Sequence, residues 1–196
     1  MSNPLKILAF AGSARLDSYN KRLVKIAGRG AEQAGAEVTF LDLLALPMPL
    51  FNEDLEAEEG LPDTARQFKA LLKGHQGFLI ASPEYNGSIS GLLKNAIDWA
   101  SRPDPDNIAS AADCFRNKVV VLMATSPGGL GGLRGLVHVR SILTNLGAIV
   151  LPEQRAIPHA SQAFDATGQL IDPKQQSAIR ELGARVVAIA TALSAP

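Results

Sequence analysis

The run KVVVLMAT at residues 118–125, broken by Ser126-Pro127-Gly128-Gly129, decides how this chain is read. It is apolar without alternation, so it reads as a strand covered on both faces rather than one face-up to water. Working outward, similar apolar runs recur at 5–11 (LKILAFA), 77–82 (GFLIAS) and 148–151 (AIVL), and 36–41 (AEVTFL) reads as a further strand. Helix-length segments separate them. Residues 18–34 place Leu23, Ile26, Ala27 and Ala31 on one face and stop at Gly35. Further helices are expected from about Pro62 to Lys73, Gly91 to Ala100, Leu133 to Leu146, and over 173–193, where Ile179, Leu182, Val186, Ile189 and Leu193 share one side. The Pro-rich and acidic stretch 46–60 and the Pro/Asp stretch 102–107 read as loops, with the acidic run 53–59 as a solvated loop face. Strand–helix alternation of this kind predicts an α/β fold: a doubly wound parallel sheet with helices on both faces, in one domain spanning 1–196. Right-handed crossovers leave two common strand orders, 2-1-3-4-5 and 3-2-1-4-5-6.

Composition narrows the function. In 196 residues, 19 Lys and Arg balance 19 Asp and Glu. Neither a nucleic-acid binder nor a polybasic membrane anchor is expected from that balance. Cys114 stands alone, which rules out an internal disulfide and fits a reducing compartment; it is expected to be a half-buried structural thiol at the mouth of a strand. The apolar run after Lys6 is shorter than the 7 to 15 residues or so of a signal peptide, and no run nears the roughly 18 of a membrane span. The chain therefore reads as cytoplasmic. His75, His138 and His159 are scattered and unpaired in spacing, so no metal site is expected.

In open α/β sheets, ligands bind beyond the carboxyl ends of the strands, so the loops that follow strands carry the chemistry. The first is Gly12-Ser13-Ala14-Arg15-Leu16-Asp17-Ser18-Tyr19-Asn20. It is neither a Walker A loop nor a Gly-x-Gly-x-x-Gly fingerprint. It suits a phosphate monoester nonetheless. Ser13 and Ser18 offer hydroxyls, Asn20 an amide and Arg15 a planar fork, while the start of the next helix offers amides and a favourable dipole.

The second loop, Ser82-Pro83-Glu84-Tyr85-Asn86-Gly87-Ser88, runs on to a helix anchored by Leu93, Ile97 and Trp99, of which Leu93 and Trp99 read as core. Pro83 ends the strand, and Asn86-Gly87 is a turn that presents main-chain groups edge-on to a planar heterocycle. Tyr85 can cover a ring face. In the order 2-1-3-4-5 these two loops open on one crevice, phosphate at one end and ring at the other, as a mononucleotide such as FMN requires.

Together, Gly-Ser-x-Arg-x-x-Ser-x-Asn at 12–20 and Ser-Pro-Glu-Tyr-Asn-Gly-Ser-x-x-Gly-x-Leu-Lys-Asn-Ala-x-Asp-Trp at 82–99 resemble the NADPH-dependent FMN reductase family, over about residues 5 to 150. The resemblance implies a flavodoxin-like, five-stranded parallel sheet of order 2-1-3-4-5. It implies that Ser13, Arg15, Ser18, Tyr19 and Asn20 hold the FMN phosphate. Pro83, Glu84, Tyr85, Asn86 and Gly87 border the isoalloxazine, and Ser126 touches the ring system. The departure is Ser90, where family members often carry proline; the flanking residues match and flavin binding is expected to survive.

The glycine-rich stretch 126–133 invites a rival reading as a dinucleotide site, with Glu153 after a later strand. Arg134 stands where the third glycine should be, so the loop is instead expected beside the flavin, its glycines leaving room for a nicotinamide. The implied reaction takes hydride from NADPH or NADH to flavin N5 and on to a small acceptor: quinone, free flavin, azo compound or metal oxyanion. Such chemistry belongs to the cofactor, and no side chain is assigned as catalytic acid or base. The resemblance further implies a homodimer or homotetramer, with 46–60 and the region of Asp98, Arg102 and Pro103 as interface candidates. A flavodoxin-type electron carrier is the alternative, but carriers usually show a strongly acidic surface and this chain has no net charge.

Overall fold

The three central apolar runs, 6–11, 77–81 and 119–125, become strands whose two faces are both buried, while the runs at the sheet edges stay partly exposed. The computed structural model describes residues 4–104 and 111–194. The chain runs β1 (Lys6–Ala11), α1 (Tyr19–Gln33), β2 (Glu37–Asp42), α2 (Glu53–Glu59), α3 (Asp63–Gly74), β3 (Gly77–Ala81), the short β4 (Glu84–Tyr85) and β5 (Ser88–Ile89), and α4 (Gly91–Ala100). It continues with β6 (Val119–Thr125), α5 (Leu133–Asn145), β7 (Ile149–Ile157), α6 (Ala160–Ala163) and α7 (Pro173–Ser194). Five strands form one parallel sheet, ordered β2-β1-β3-β6-β7. Counted among themselves these are 2-1-3-4-5, so the strand order reverses between β1 and β3.

β1 shows why the runs are continuous rather than alternating. Ile7, Ala9 and Ala11 join the cluster built with α1 and α7, while Leu8 and Phe10 join the one built with α3, α4 and α5. Both sets are buried, and each large side chain hidden this way contributes about 1.5–3 kcal/mol. Trp99 and Leu93 are core, as expected.

Three expectations are corrected. The acidic run is not a loop but the helix α2, capped by Asn52, whose Oδ1 accepts from the Asp54 amide at 2.8 Å. None of its residues is buried, so no apolar period marks it in the sequence. The stretch before it and the helix itself are both fastened down: Trp99 Nε1 donates to the Pro49 carbonyl at 2.8 Å, and Arg102 pairs with Glu56 of α2 at 2.8 Å. Second, β7 extends to Ile157, well past Leu151. It lies at the sheet edge, where Pro152 is tolerated, and its register shifts against Val120 and Leu122. The stretch 102–107 falls partly outside the described residues.

Third, Cys114 is wholly buried rather than half-buried, and its Sγ lies 3.3 Å from the Ala100 carbonyl oxygen. Burial pushes the thiol up to about 12. At pH 8 it is expected to resist an aromatic disulfide reagent in the native protein and to react stoichiometrically once denaturant is added. Fast native labelling would show that the site opens. Among the described residues, no helix is long and apolar enough to cross a membrane.

Candidate flavin site

The two loops singled out in the sequence are physically joined. Gly12, just past β1, donates its amide to the Ala81 carbonyl at 2.9 Å. A side chain there would meet Leu93 Cβ at 2.8 Å, so only glycine lets α4 approach. Ser90 completes the tie. Its Oγ donates to the Gly12 carbonyl at 2.5 Å and accepts from the Leu93 amide at 3.2 Å, capping α4. Ser90 is thus a strut between the loops, and it does what a proline, with no side-chain donor, does not.

Ser13, Arg15, Ser18, Tyr19 and Asn20 line one cleft with Pro83, Glu84 and Tyr85. Thr125, Ser126 and Pro127 close its far side. Asn86 and Gly87 do not line it; they make the turn of the β4–β5 hairpin, with φ of 52° and 78°. Two successive positive φ values match a type I′ turn, which Asn-Gly favours. A Cβ on Gly87 would meet nothing, so the turn's main chain stands open.

At the phosphate end, Ser13 and Ser18 are nearly buried, at 2% and 4% exposure. Ser13 Oγ accepts from the Arg15 amide at 3.4 Å, and Ser18 Oγ accepts from the Lys21 amide at 3.5 Å as the N-cap of α1. Each O–H is thereby left to donate. The exposed Arg15 guanidinium brings the charge that a phosphate needs. Tyr19 is stacked on Phe164, centroids 5.7 Å apart, with Arg22 over its ring.

Two residues of this lining also brace it. Asn20 Nδ2 donates to the Thr125 carbonyl at 3.0 Å and its Oδ1 accepts from the Thr125 amide at 3.0 Å, pinning the start of α1 to the end of β6. Glu84 accepts from the Gly135 amide at 3.1 Å and pairs with Arg134 at 2.6 Å, fastening the hairpin to α5. Burial alone would raise the Glu84 carboxyl; the Gly135 amide and the Arg134 guanidinium outweigh it and hold it below its usual value. Glu84 therefore stays ionised.

The glycine-rich loop divides in two. At Gly128 and Gly129 the nearest atoms to a new Cβ lie 3.9 and 4.0 Å away, so this part has room. Gly131 and Gly132, with φ of 62° and 91°, leave none: their Cβ atoms would fall 2.6 Å from the Ile157 carbonyl carbon and 2.9 Å from Ala124 Cβ. The room expected for a nicotinamide is confined to the first pair. Glu153 sits within β7, not after it as the dinucleotide reading requires, and pairs with Arg185 at 3.2 Å.

Sequence reading missed Thr125 and the Ser90 strut. Thr125 ends an apolar run and gives no signal of its own. Ser90 was visible only as a departure, although Ser before a helix start is a recognised cap.

The donor set fits FMN. Hydroxyls, a guanidinium and helix-start amides gather at one end, and an open main-chain turn stands at the other. The family model for NADPH-dependent FMN reductase matches residues 5–162. An NAD(P)H-dependent FMN reductase of Pseudomonas aeruginosa is 35% identical over 182 residues, covering 92% of each chain. An NAD(P)H:quinone oxidoreductase of Solanum tuberosum is 34% identical over 194 residues, covering 96% of this chain and 94% of that one. The flavoenzyme NAD(P)H:(acceptor) oxidoreductase FerB of Paracoccus denitrificans superposes with a TM-score of 0.78 at 28% identity, over 96% of this chain and 98% of that one. Sheet order, cleft and relatives agree: the chain belongs to the NADPH-dependent FMN reductase family and is an FMN- and NAD(P)H-dependent oxidoreductase.

Proposed function

We propose that this chain is a cytoplasmic, single-domain quinone reductase that holds FMN between the 12–20 and 82–90 loops. The observation that carries the reading is the Ser90–Gly12 bond, which fixes the two loops as walls of one crevice at the strand-order switch. Relatives named for quinone reduction support the choice of acceptor.

The chemistry supplied by FMN is two-electron transfer, hydride from NAD(P)H to N5 and onward to the acceptor. The chain's part is positional. Ser13, Ser18 and Arg15 hold the phosphate, helped by the α1 dipole. Tyr19 walls the ribityl end against Phe164. The Asn86–Gly87 turn offers main-chain groups to the ring edge, Pro83 and Tyr85 border its faces, and Ser126 approaches from β6. Glu84 and Asn20 keep those walls apart at a fixed width. No side chain is assigned a proton.

A homodimer or homotetramer is part of this reading. One chain encloses only about 100 Å³ in the cleft, below the roughly 300–1,000 Å³ of small-molecule sites. Leu130, Leu133 and Val137 are exposed on and just before α5, beside the β4–β5 hairpin, and a second copy placed there would add the missing wall.

The test is spectroscopic. Protein reconstituted with FMN is expected to bleach within the mixing time of anaerobic NADPH and to recover its colour when a benzoquinone is added. Slow bleaching would favour a carrier, and failure to take up FMN would end the proposal.

A further inference from the structure

A second cavity, apart from the flavin cleft, opens beside the phosphate loop. It encloses about 450 Å³ between α1 and the edge strand β2. The small side chains of Ala9 and Ala11 make its floor, and Ser18 lines both this cavity and the flavin cleft. The two hollows therefore adjoin at Ser18.

Its walls combine an aromatic platform with surplus positive charge. Phe40 is 42% exposed, yet its ring is held: a Cβ on Gly28 would lie 2.4 Å from Phe40 Cζ, so the ring rests against the bare α1 backbone. Leu16, 89% exposed, overhangs from the phosphate loop. At the rim, Lys21 pairs with Asp42 at 2.7 Å, and Arg22 pairs with Asp17. Lys25, one turn beyond Lys21 on the same face, acts on Asp42 only through its field and makes no contact ion pair among the described residues, so three cations stand against two carboxylates.

We infer that this cavity takes the adenosine 2′-phosphate end of NADPH, with the base on Phe40 and the 2′-phosphate on Lys25 and Lys21. The inference deepens the proposed function and rests on it. Spacing allows it. β2, β1, β3 and β6 are successive neighbours, and at about 4.8 Å per strand the end of β2 lies about 12 Å from the middle of the β3–β6 gap. An extended dinucleotide bridges that distance, placing its nicotinamide near Gly128 and Gly129.

The carboxylate at the end of β2 decides between the two nicotinamides. A free acidic residue there binds the ribose 2′-hydroxyl and selects NAD. Asp42 is not free: Oδ2 is taken by Lys21, and Oδ1 accepts from the Leu44 amide at 3.1 Å. The unpaired charge at the rim is a cation, which favours a phosphate.

Calorimetric titration of the FMN-loaded protein with adenosine 2′,5′-bisphosphate and with 5′-AMP tests this without turnover. The bisphosphate is expected to bind about tenfold tighter or more. Lys25→Glu should erase that difference and raise KM for NADPH about tenfold, with kcat, KM for NADH and FMN content unchanged; Lys25→Arg should restore it. Equal binding of both nucleotides by the unaltered protein, or KM values for NADPH and NADH that rise together in Lys25→Glu, overturns the inference. A protein that takes up no FMN, or is reduced by neither nicotinamide, defeats the proposed function instead, and the nucleotide titration still reads the cavity.

Discussion

Replacing Gly183 with alanine is expected to lower the melting temperature by about 5–10 °C. In an exposed helix interior the same change stabilises, by up to about 1 kcal/mol. Here the sign reverses because the backbones of α1 and α7 touch. A Cβ on Gly183 would lie 1.9 Å from the Ala27 carbonyl oxygen, and one on Gly30 would lie 2.0 Å from that of Arg180. Neither obstacle is a side chain that can swing away. The helices must part, and the overpacking costs about 2–3 kcal/mol net of propensity. At about 2–4 °C per kcal/mol for a chain of this size, that gives the stated shift. Gly74, the last residue of α3, has nothing within 4 Å of a new Cβ, and Gly74→Ala serves as the control expected to hold or gain stability. A Gly183→Ala protein melting at or above the parent temperature would mean the crossing is looser than described. The consequence reaches the cleft, since α1 carries Ser18 and Asn20 at its start.

Much of this was legible beforehand, for reasons that particular residues make plain. The three central strands announced themselves because both of their faces are buried, so Val119 through Ala124 are apolar without a break. The helix at 91–100 was readable from its apolar face, although the cap that starts it, Ser90, was not recognised as one. α2 was not readable, because it buries nothing and rests on the Arg102–Glu56 pair instead. The outer half of β7 carries Pro152, Glu153, Gln154 and Arg155. Those residues suit an edge strand but look like a loop in one dimension. The flavin loops were legible as donor sets, yet their division of labour was not. That Asn20 and Glu84 brace the cleft they line depends on Thr125, Arg134 and Gly135, which lie 50 or more positions away.

The Asn20 brace yields the sharper forecast. Asn20→Leu keeps the approximate volume but deletes both bonds to Thr125, a residue only 2% exposed. A buried amide and a buried carbonyl are then left without partners, at about 1–3 kcal/mol each, so a loss of about 3 kcal/mol is expected. Thr125 precedes Ser126 and Pro127 in the cleft wall, so FMN affinity should fall with it, about tenfold or more. Asn20→Asp separates the two bonds. Its carboxylate still accepts from the Thr125 amide but faces the Thr125 carbonyl, and it is buried. Both effects favour the protonated acid in the folded state, so the new group's folded pKa rises above the ordinary Asp value near 3.9. The folded protein then binds the extra proton over the window between the two values. The variant's deficit relative to the parent is accordingly largest at neutral pH and shrinks as pH falls toward about 4, where the acid donates to the carbonyl as the amide did. Asn20→Leu, with nothing to titrate, should show a deficit independent of pH. Denaturant midpoints of the three proteins between pH 4 and 8 decide the matter: parallel curves for Asp and Leu would show that the two-bond clamp does not hold α1 to β6.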